Sequence, residues 1–232
     1  MATKRRQDYM KQAKTLARKY KEQPLLEKRM RSESLGLVKG LRDRLMKWDE
    51  YERTILDKTL TSALASVILG TKNQKSNERM EQAWPSIVGD MLPPLTKFLA
   101  ETKEYIDSGV LRIGDQTLDF ADYDFESALG MEDETESEGT TRKPRGQTWP
   151  ALANRVINYV ATPTYAFFNL GEYMVSRDMG YKEMRRVAKN DKKTCKDCRR
   201  YDSQGWAPFG ELPMPGKGCQ CYANCRCAIE YR

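Results

Sequence analysis

All six cysteines of this 232-residue chain fall between Cys195 and Cys227, and the chain contains no histidine. Cysteines used singly as core packers would be scattered, so a cluster of this density needs a common cause. The segment runs Thr194-Cys195-Lys-Asp-Cys198, passes a Pro/Gly-rich bend, and closes Cys219-Gln-Cys221-Tyr-Ala-Asn-Cys225-Arg-Cys227. A Cys-x-x-Cys pair facing a second close-set group is the spacing of a tetrahedral thiolate site, each pair forming a tight turn aimed at one ion. Without imidazole the site is built from sulfur, with a carboxylate as the alternative donor. Four of Cys195, Cys198, Cys219, Cys221, Cys225 and Cys227 suffice. The expectation is one structural zinc on Cys195, Cys198 and two later cysteines, Cys221 with Cys225 or Cys227 being the first choice.

The competing use of six cysteines is three disulfides. The opening Met-Ala-Thr-Lys-Arg-Arg leads into a charged amphipathic stretch with no apolar secretory core, which predicts a reducing compartment and free thiols. No apolar run has the length of a membrane span, so no membrane partner is expected. A redox role for Cys195-x-x-Cys198, with Lys196 and Arg199 lowering a thiol pKa, would call for a thioredoxin-like strand-to-helix setting that the surrounding pattern lacks. The stretch from Gly210 to Gly218 has the look of a phosphate loop, but its spacing is wrong and no Ser or Thr follows Lys217. With histidine absent, the Ser-His-Asp and Cys-His arrangements are excluded. The chain is expected to act by binding, not turnover.

The fold class expected is mainly α with a small β-hairpin and a C-terminal cysteine-rich, metal-stapled β element. The helical region spans 1–130, a charged linker 131–147, and a helical pair plus the cysteine motif 148–232. Tyr9, Ala13, Leu16, Ala17 and Tyr20 form a helical stripe over 2–22, which Pro24 is expected to end. A longer helix is expected from Leu35 to Leu69, striped by Leu37, Leu41, Leu45, Trp48, Ile55, Leu60, Leu64 and Val67 and closed by Gly70 in the C′ position. A short helix from Asn77 to Trp84 is cut by Pro85, and another from Ile87 to Ile106 bends at Pro93-Pro94. Residues 110–120 alternate around Gly114-Asp115 as a hairpin. Residues 131–147 hold almost no apolar side chain and predict a mobile linker; an EF-hand register is missing from their carboxylates. Helices follow at 149–161 and from Pro163 to Met179, with Gly171 marking close helix packing and Gly180 the stop. Met184 to Ala188 reads as a strand.

Charge adds a second constraint. The net charge is +7, and it is unevenly placed. Residues 1–31 are strongly basic, residues 101–138 acidic, and the chain from Arg142 onward basic again. Lys4, Arg5, Lys11, Lys14, Arg18 and Lys19 on the first helix are candidate phosphate contacts, and Tyr201 and Trp206 near the cysteines could stack on bases. Solvated faces, or packing of Trp206 and Phe209 as a cap over the metal core, explain the same residues without nucleic acid.

The order Asp191, Thr194-Cys195-x-x-Cys198, Asp202, Gly205, Pro213, Pro215, then Asn224-Cys225-Arg226-Cys227 resembles the C-terminal signature of the tailed-phage head morphogenesis family, the minor head proteins of the phage Mu F type. The likeness extends upstream through Thr162-Pro-Thr-Tyr-Ala-Phe-Phe-Asn169-Leu-Gly171 and Gly180 to Arg185-Arg186-Val187, and covers about 150–232. One position departs from it. Tyr222 stands where the family usually has a histidine, with Cys221 and Cys219 beside it as replacement thiolates. The resemblance implies a non-enzymatic virion component, made in the bacterial host cytoplasm and present in multiple copies. Its implied place is the head interior or portal region, in association with the portal protein, the major capsid protein and packaged DNA. The alternative, from the residues alone, is a zinc-ribbon-like nucleic-acid-binding protein acting independently of a virion.

Overall fold

The computed structural model describes residues 3–107, 149–161, 163–192, 194–215, 218–220, 225 and 227–232. The hairpin expected at 110–120 and the linker at 131–147 lie outside these residues. Within them the protein is helix-dominated, with one small antiparallel sheet near the C-terminus.

Helix α1 (Thr3–Tyr20) buries Tyr9, Met10, Ala13 and Ala17, as its stripe requires. Pro24 does not merely end it; the proline opens α2 (Gln23–Arg42), where its missing N–H is one the first turn leaves unpaired anyway. The single long helix expected over 35–69 is two helices, α2 and α3 (Trp48–Gly70). They part at a turn where Arg44 takes a left-handed φ of 58°. Leu45, expected on the buried stripe, sits on that turn and is 82% exposed.

Helix α3 is the hub, touching α1, α2, α4 (Ser76–Ser86), α6 (Trp149–Val160) and α7 (Pro163–Asp178). Every residue from Thr59 to Gly70 is buried, so the helix lacks a polar face in this stretch. Its serines find carbonyl partners: Ser66 Oγ donates to the Ser62 carbonyl at 2.8 Å, and Ser62 Oγ donates to the Val160 carbonyl on α6 at 3.2 Å. Full burial of side chains such as Ile55, Leu60, Leu64 and Ile68 contributes roughly 1.5–3 kcal/mol each.

Gly70 does not act as a left-handed cap. A Cβ there would lie 2.1 Å from the Phe168 carbonyl oxygen of α7, and one on Gly171 would lie 2.5 Å from the Val67 carbonyl oxygen. The two glycines let α3 and α7 approach backbone to backbone. Pro85 does not break its helix either. It lies inside α4, which continues through a π-helical turn (Ile87–Met91) into α5 (Leu92–Asp107), so Pro93 and Pro94 occupy the first turn of α5.

Phe98 of α5 stacks on Tyr159 of α6 at 4.9 Å, and Arg155 of α6 pairs with Glu101 at 3.0 Å. Helices on either side of residues 108–148 thus share one core. Gly180, with φ 80°, ends α7 as expected.

The chain then forms β1 (Glu183–Val187), α8 (Lys196–Ser203), β2 (Ala207–Pro208) and β3 (Ala228–Tyr231). The strand order is β2-β1-β3, with Met184 opposite Ala207 on one side, and Arg185 opposite Glu230 and Arg186 opposite Ile229 on the other. The sheet joins the bundle through α7, where Tyr173 stacks on Phe209 at 4.7 Å and Phe209 meets Tyr231 at 5.7 Å. Among the described residues no helix is long and apolar enough to cross a membrane.

Candidate metal centre

The first cysteine pair is not a bare turn. Cys195 is the N-cap residue of α8, its Sγ accepting the Cys198 N–H at 3.4 Å, and Cys198 lies in the first helical turn. A sulfur and a backbone amide thereby face the same side, and Cys198 is turned inward, 1% exposed. The loop before α8 is held by side chains that the sequence pattern also singles out. Thr194 Oγ1 donates to Asp191 Oδ1 at 3.1 Å, while Asp202 accepts from the Ala188 N–H at 3.3 Å and from Asn190 Nδ2 at 2.7 Å. Gly205 follows α8 with φ 67°, a conformation open to glycine.

The sulfurs of Cys198, Cys219 and Cys225, all buried, lie within 4.8 Å of one another. Cys198 and Cys225 are 3.7 Å apart. Zn–S bonds of about 2.3 Å at tetrahedral angles put sulfurs about 3.8 Å apart, so this spacing fits a metal ion held between them. Cys227 is also buried and interacts with Cys225 and Cys198. Cys195 packs against the same cluster at intermediate burial. No disulfide joins any of these five described cysteines. Cys221, a first-choice ligand by spacing, lies outside the described residues, while Cys219 stands inside the triad.

The electrostatics are those of crowded sulfur. Hydrogen bonding with Cys225, then burial and Cys198, push the Cys227 thiol well above its ordinary range. A bound metal reverses that tendency, because a coordinating thiol is deprotonated.

Into this cluster the fold inserts a cation that spacing alone did not reveal. Arg186 of β1 is fully buried, and its Nη2 lies 3.0 Å from Cys225 Sγ, 3.2 Å from Cys219 Sγ and 3.5 Å from Cys198 Sγ. Its Nη1 donates to the Pro213 carbonyl at 3.2 Å, and the guanidinium lies over the Tyr201 ring at 4.9 Å. Burial opposes the charge, but the Cys225 and Cys219 sulfurs outweigh it and hold the guanidinium above its ordinary pKa. The signal was in the alternation of β1, where Met184 and Arg186 occupy the buried positions. An arginine on the inner face of a strand needs an anion there.

No protein-family model, curated protein or solved structure matches this chain. What the centre can do therefore rests on its own chemistry. Three buried, convergent sulfurs can hold a metal ion, with Cys227 and Cys195 the described cysteines nearest to a fourth position.

The other candidates are dispersed. Lys4, Arg5, Lys11, Arg18 and Lys19 are exposed along α1, and Lys14 is half-buried. Arg5 is already engaged, its Nε donating to the Tyr9 hydroxyl at 3.0 Å and its Nη2 lying 3.6 Å from Asp57. Trp206 and Phe209 do not cap the cysteines. Trp206 lies against Arg185 and Arg232, at 5.0 and 4.3 Å, and Phe209 packs on Tyr173 and Tyr231. Among the described residues Tyr201 is the aromatic packed against the cluster, and its hydroxyl donates to the Gly218 carbonyl at 2.9 Å.

Proposed function

We propose that this chain is a non-enzymatic structural component of a tailed-phage head, a minor head protein whose C-terminal module is stapled by zinc. The observation that supports this most is a coincidence of two patterns. The residues that carry the family resemblance, from Asp191 and Cys195-x-x-Cys198 through Asp202 and Gly205 to Cys225 and Cys227, are also the ones that build the sulfur-lined module and its loops. Zinc suits the centre because it is redox-inert and favours closed tetrahedral thiolate sites. The helical bundle serves as the docking body toward portal or capsid subunits, and the basic face of α1 lies toward packaged DNA. Tyr201 and Trp206 both carry guanidinium partners, which favours this reading over an independent zinc-ribbon that would stack bases on those rings.

The test is co-assembly with capsid and portal subunits, scored by incorporation into particles and by metal content. Wild type should enter particles carrying one zinc per chain. A purified chain with no metal, no particle association and a turnover activity would overturn the reading. The DNA contribution is scored separately. If the six α1 cations neutralise about six phosphates, the log–log salt slope of DNA binding is about −5. Changing Lys4, Arg5, Lys11, Lys14, Arg18 and Lys19 to Gln should flatten it. An unchanged slope removes α1 from the DNA contact.

A further inference from the structure

Buried arginine is costly unless it meets negative charge. Arg186 is 0% exposed, and one end of its guanidinium faces three sulfurs. Neutral thiols are weak acceptors and would return little of that cost, whereas thiolates return charge-assisted hydrogen bonds, here shared among the sulfurs by the two Nη2 protons. Three or four thiolates, however, repel one another in a buried site unless cations lie among them. A divalent ion on four thiolates is still a doubly negative centre, and on three a singly negative one. One guanidinium removes one of those charges without taking a coordination position, because it donates hydrogen bonds and has no lone pair to give a metal.

We infer that Arg186 is the internal counter-cation of the metal–thiolate centre, a positioning residue that holds the sulfurs of Cys198, Cys219 and Cys225 together for a divalent thiophilic metal. The inference rests on the metal reading above and adds to it a named residue outside the coordination set. The remaining contacts of the guanidinium explain why arginine, and not lysine, is suited to the position. The Pro213 carbonyl holds Nη1, and the guanidinium carbon lies over the Tyr201 ring. A planar fork meets sulfur, carbonyl and ring together, while an ammonium would bring the charge alone.

The experiment uses the full-length protein with Zn2+ in chelator competition and Co2+ as a spectroscopic probe. Arg186→Gln should weaken Zn2+ binding 10–100-fold, the range typical of lost outer-sphere partners, and shift the sulfur-to-cobalt charge-transfer band. Arg186→Lys should recover a measurable part of that loss, because it restores charge without the fork. A Gln variant with wild-type affinity and spectrum overturns the inference while leaving the metal reading intact. Lys and Gln variants that lose equally overturn it too, since charge would then be irrelevant. A wild type that binds neither Zn2+ nor Co2+ overturns the metal reading and the inference with it. Where Arg186→Gln fails to fold, wild type loaded with 113Cd2+ decides. Slowly exchanging Arg186 guanidinium protons with scalar coupling to cadmium, transmitted through N–H···S hydrogen bonds, are expected, and their absence overturns the assignment.

Discussion

The helical bundle and the cysteine module are stabilised by different physics. The bundle has a hub helix buried on all sides from Thr59 to Gly70, and residues from α1 to α7 contribute to one continuous apolar core. Among its described residues the module has two small clusters, one of Ala188 with cysteines and one of Met184, Leu212 and Ile229. Apolar burial scales with size, and clusters this small offset little of the ordering of the segment 183–232. In the first region the side chains supply their own cohesion. In the second they supply three buried sulfurs that can hold an ion, with a buried arginine beside them.

The sharpest way to separate the two is to chelate the proposed ion or delete its sulfurs. Structural zinc contributes on the order of 10–16 kcal/mol in small zinc peptides, more than so small a module has in reserve. Chelation, or Cys198→Ser with Cys225→Ser, should release hydrogen-exchange protection across 194–215 while 48–70 stays protected. Equal loss in both regions would mean that the bundle depends on the metal as well. Loss in neither would mean that the module stands on its apolar clusters.

The bundle has its own weak point, where α3 and α7 touch at Gly70 and Gly171. In an open helix Gly→Ala stabilises by about 1 kcal/mol. At Gly171 the new Cβ would meet the Val67 carbonyl, and overpacking against backbone should reverse the sign, to a loss of about 1–3 kcal/mol in thermal or urea unfolding. Gly36 of α2 is the control. A Cβ there meets nothing within 4 Å, so Gly36→Ala should stabilise by about 0.5–1 kcal/mol. Opposite signs for the two substitutions are the expected result, and equal signs would remove the close approach from the account.

How much of this the amino-acid sequence discloses also differs between the regions. Helices α1, α6 and α7 and strand β1 follow from periodicity, because each puts one stripe or one alternate face inward. The α2–α3 break was not legible. Asp43 to Lys47 contains no Gly or Pro, and Arg44 adopts its left-handed turn without a residue type that announces it. Prolines misled in the other direction. Pro24 starts a helix, in a first turn whose N–H groups have no helical partner anyway, and Pro85 lies inside α4 just before the π-helical turn without ending the helix. In the module, the cysteine spacing pointed to a thiolate cluster but not to its membership. Cys219 joins Cys198 and Cys225 through a loop whose path no local rule dictates, and α8 grows from a cysteine N-cap. Arg186 stood in the strand pattern without its burial being read, and the folded structure shows which groups it faces.

Alkaline pH offers a gentler probe of the bundle alone. Tyr9 donates its hydroxyl to Asp57 at 2.6 Å, and burial, followed by that hydrogen bond and the Asp57 charge, pushes its pKa from 10.0 up to about 12. The folded state thus favours the protonated phenol. Its contribution is fully present below pH 10 and is lost as the pH rises from about 10 to about 12, where the unfolded chain releases the proton more readily. Allowing for solvent screening around the exposed part of the Asp57 pair, the loss is about 1–2 kcal/mol. The difference in stability between wild type and Tyr9→Phe, followed by urea titration of the chelated protein, isolates it. A difference that stays flat from pH 9 to 12 would show that the Tyr9–Asp57 bond does not stabilise the fold.

The smallest expected effect falls at the joint between the regions. Tyr173 stands on α7, a bundle helix, but its ring stacks on Phe209 of the module, and Phe209 passes the contact on to Tyr231 of β3. Tyr173→Leu keeps an apolar side chain in place and deletes the ring pair, worth about 1 kcal/mol beyond area burial. If the two regions are stabilised separately and joined here, the variant should lower protection of 207–212 and 228–231 by that amount in the metal-loaded protein. The same substitution should leave the bundle of the chelated protein unchanged, because its stacking partner is then already released. Equal destabilisation of the chelated bundle would place Tyr173 in the bundle core and move the joint elsewhere on α7. No effect in either state would mean that the module is carried by its covalent link and its metal, with the aromatic contact adding only orientation.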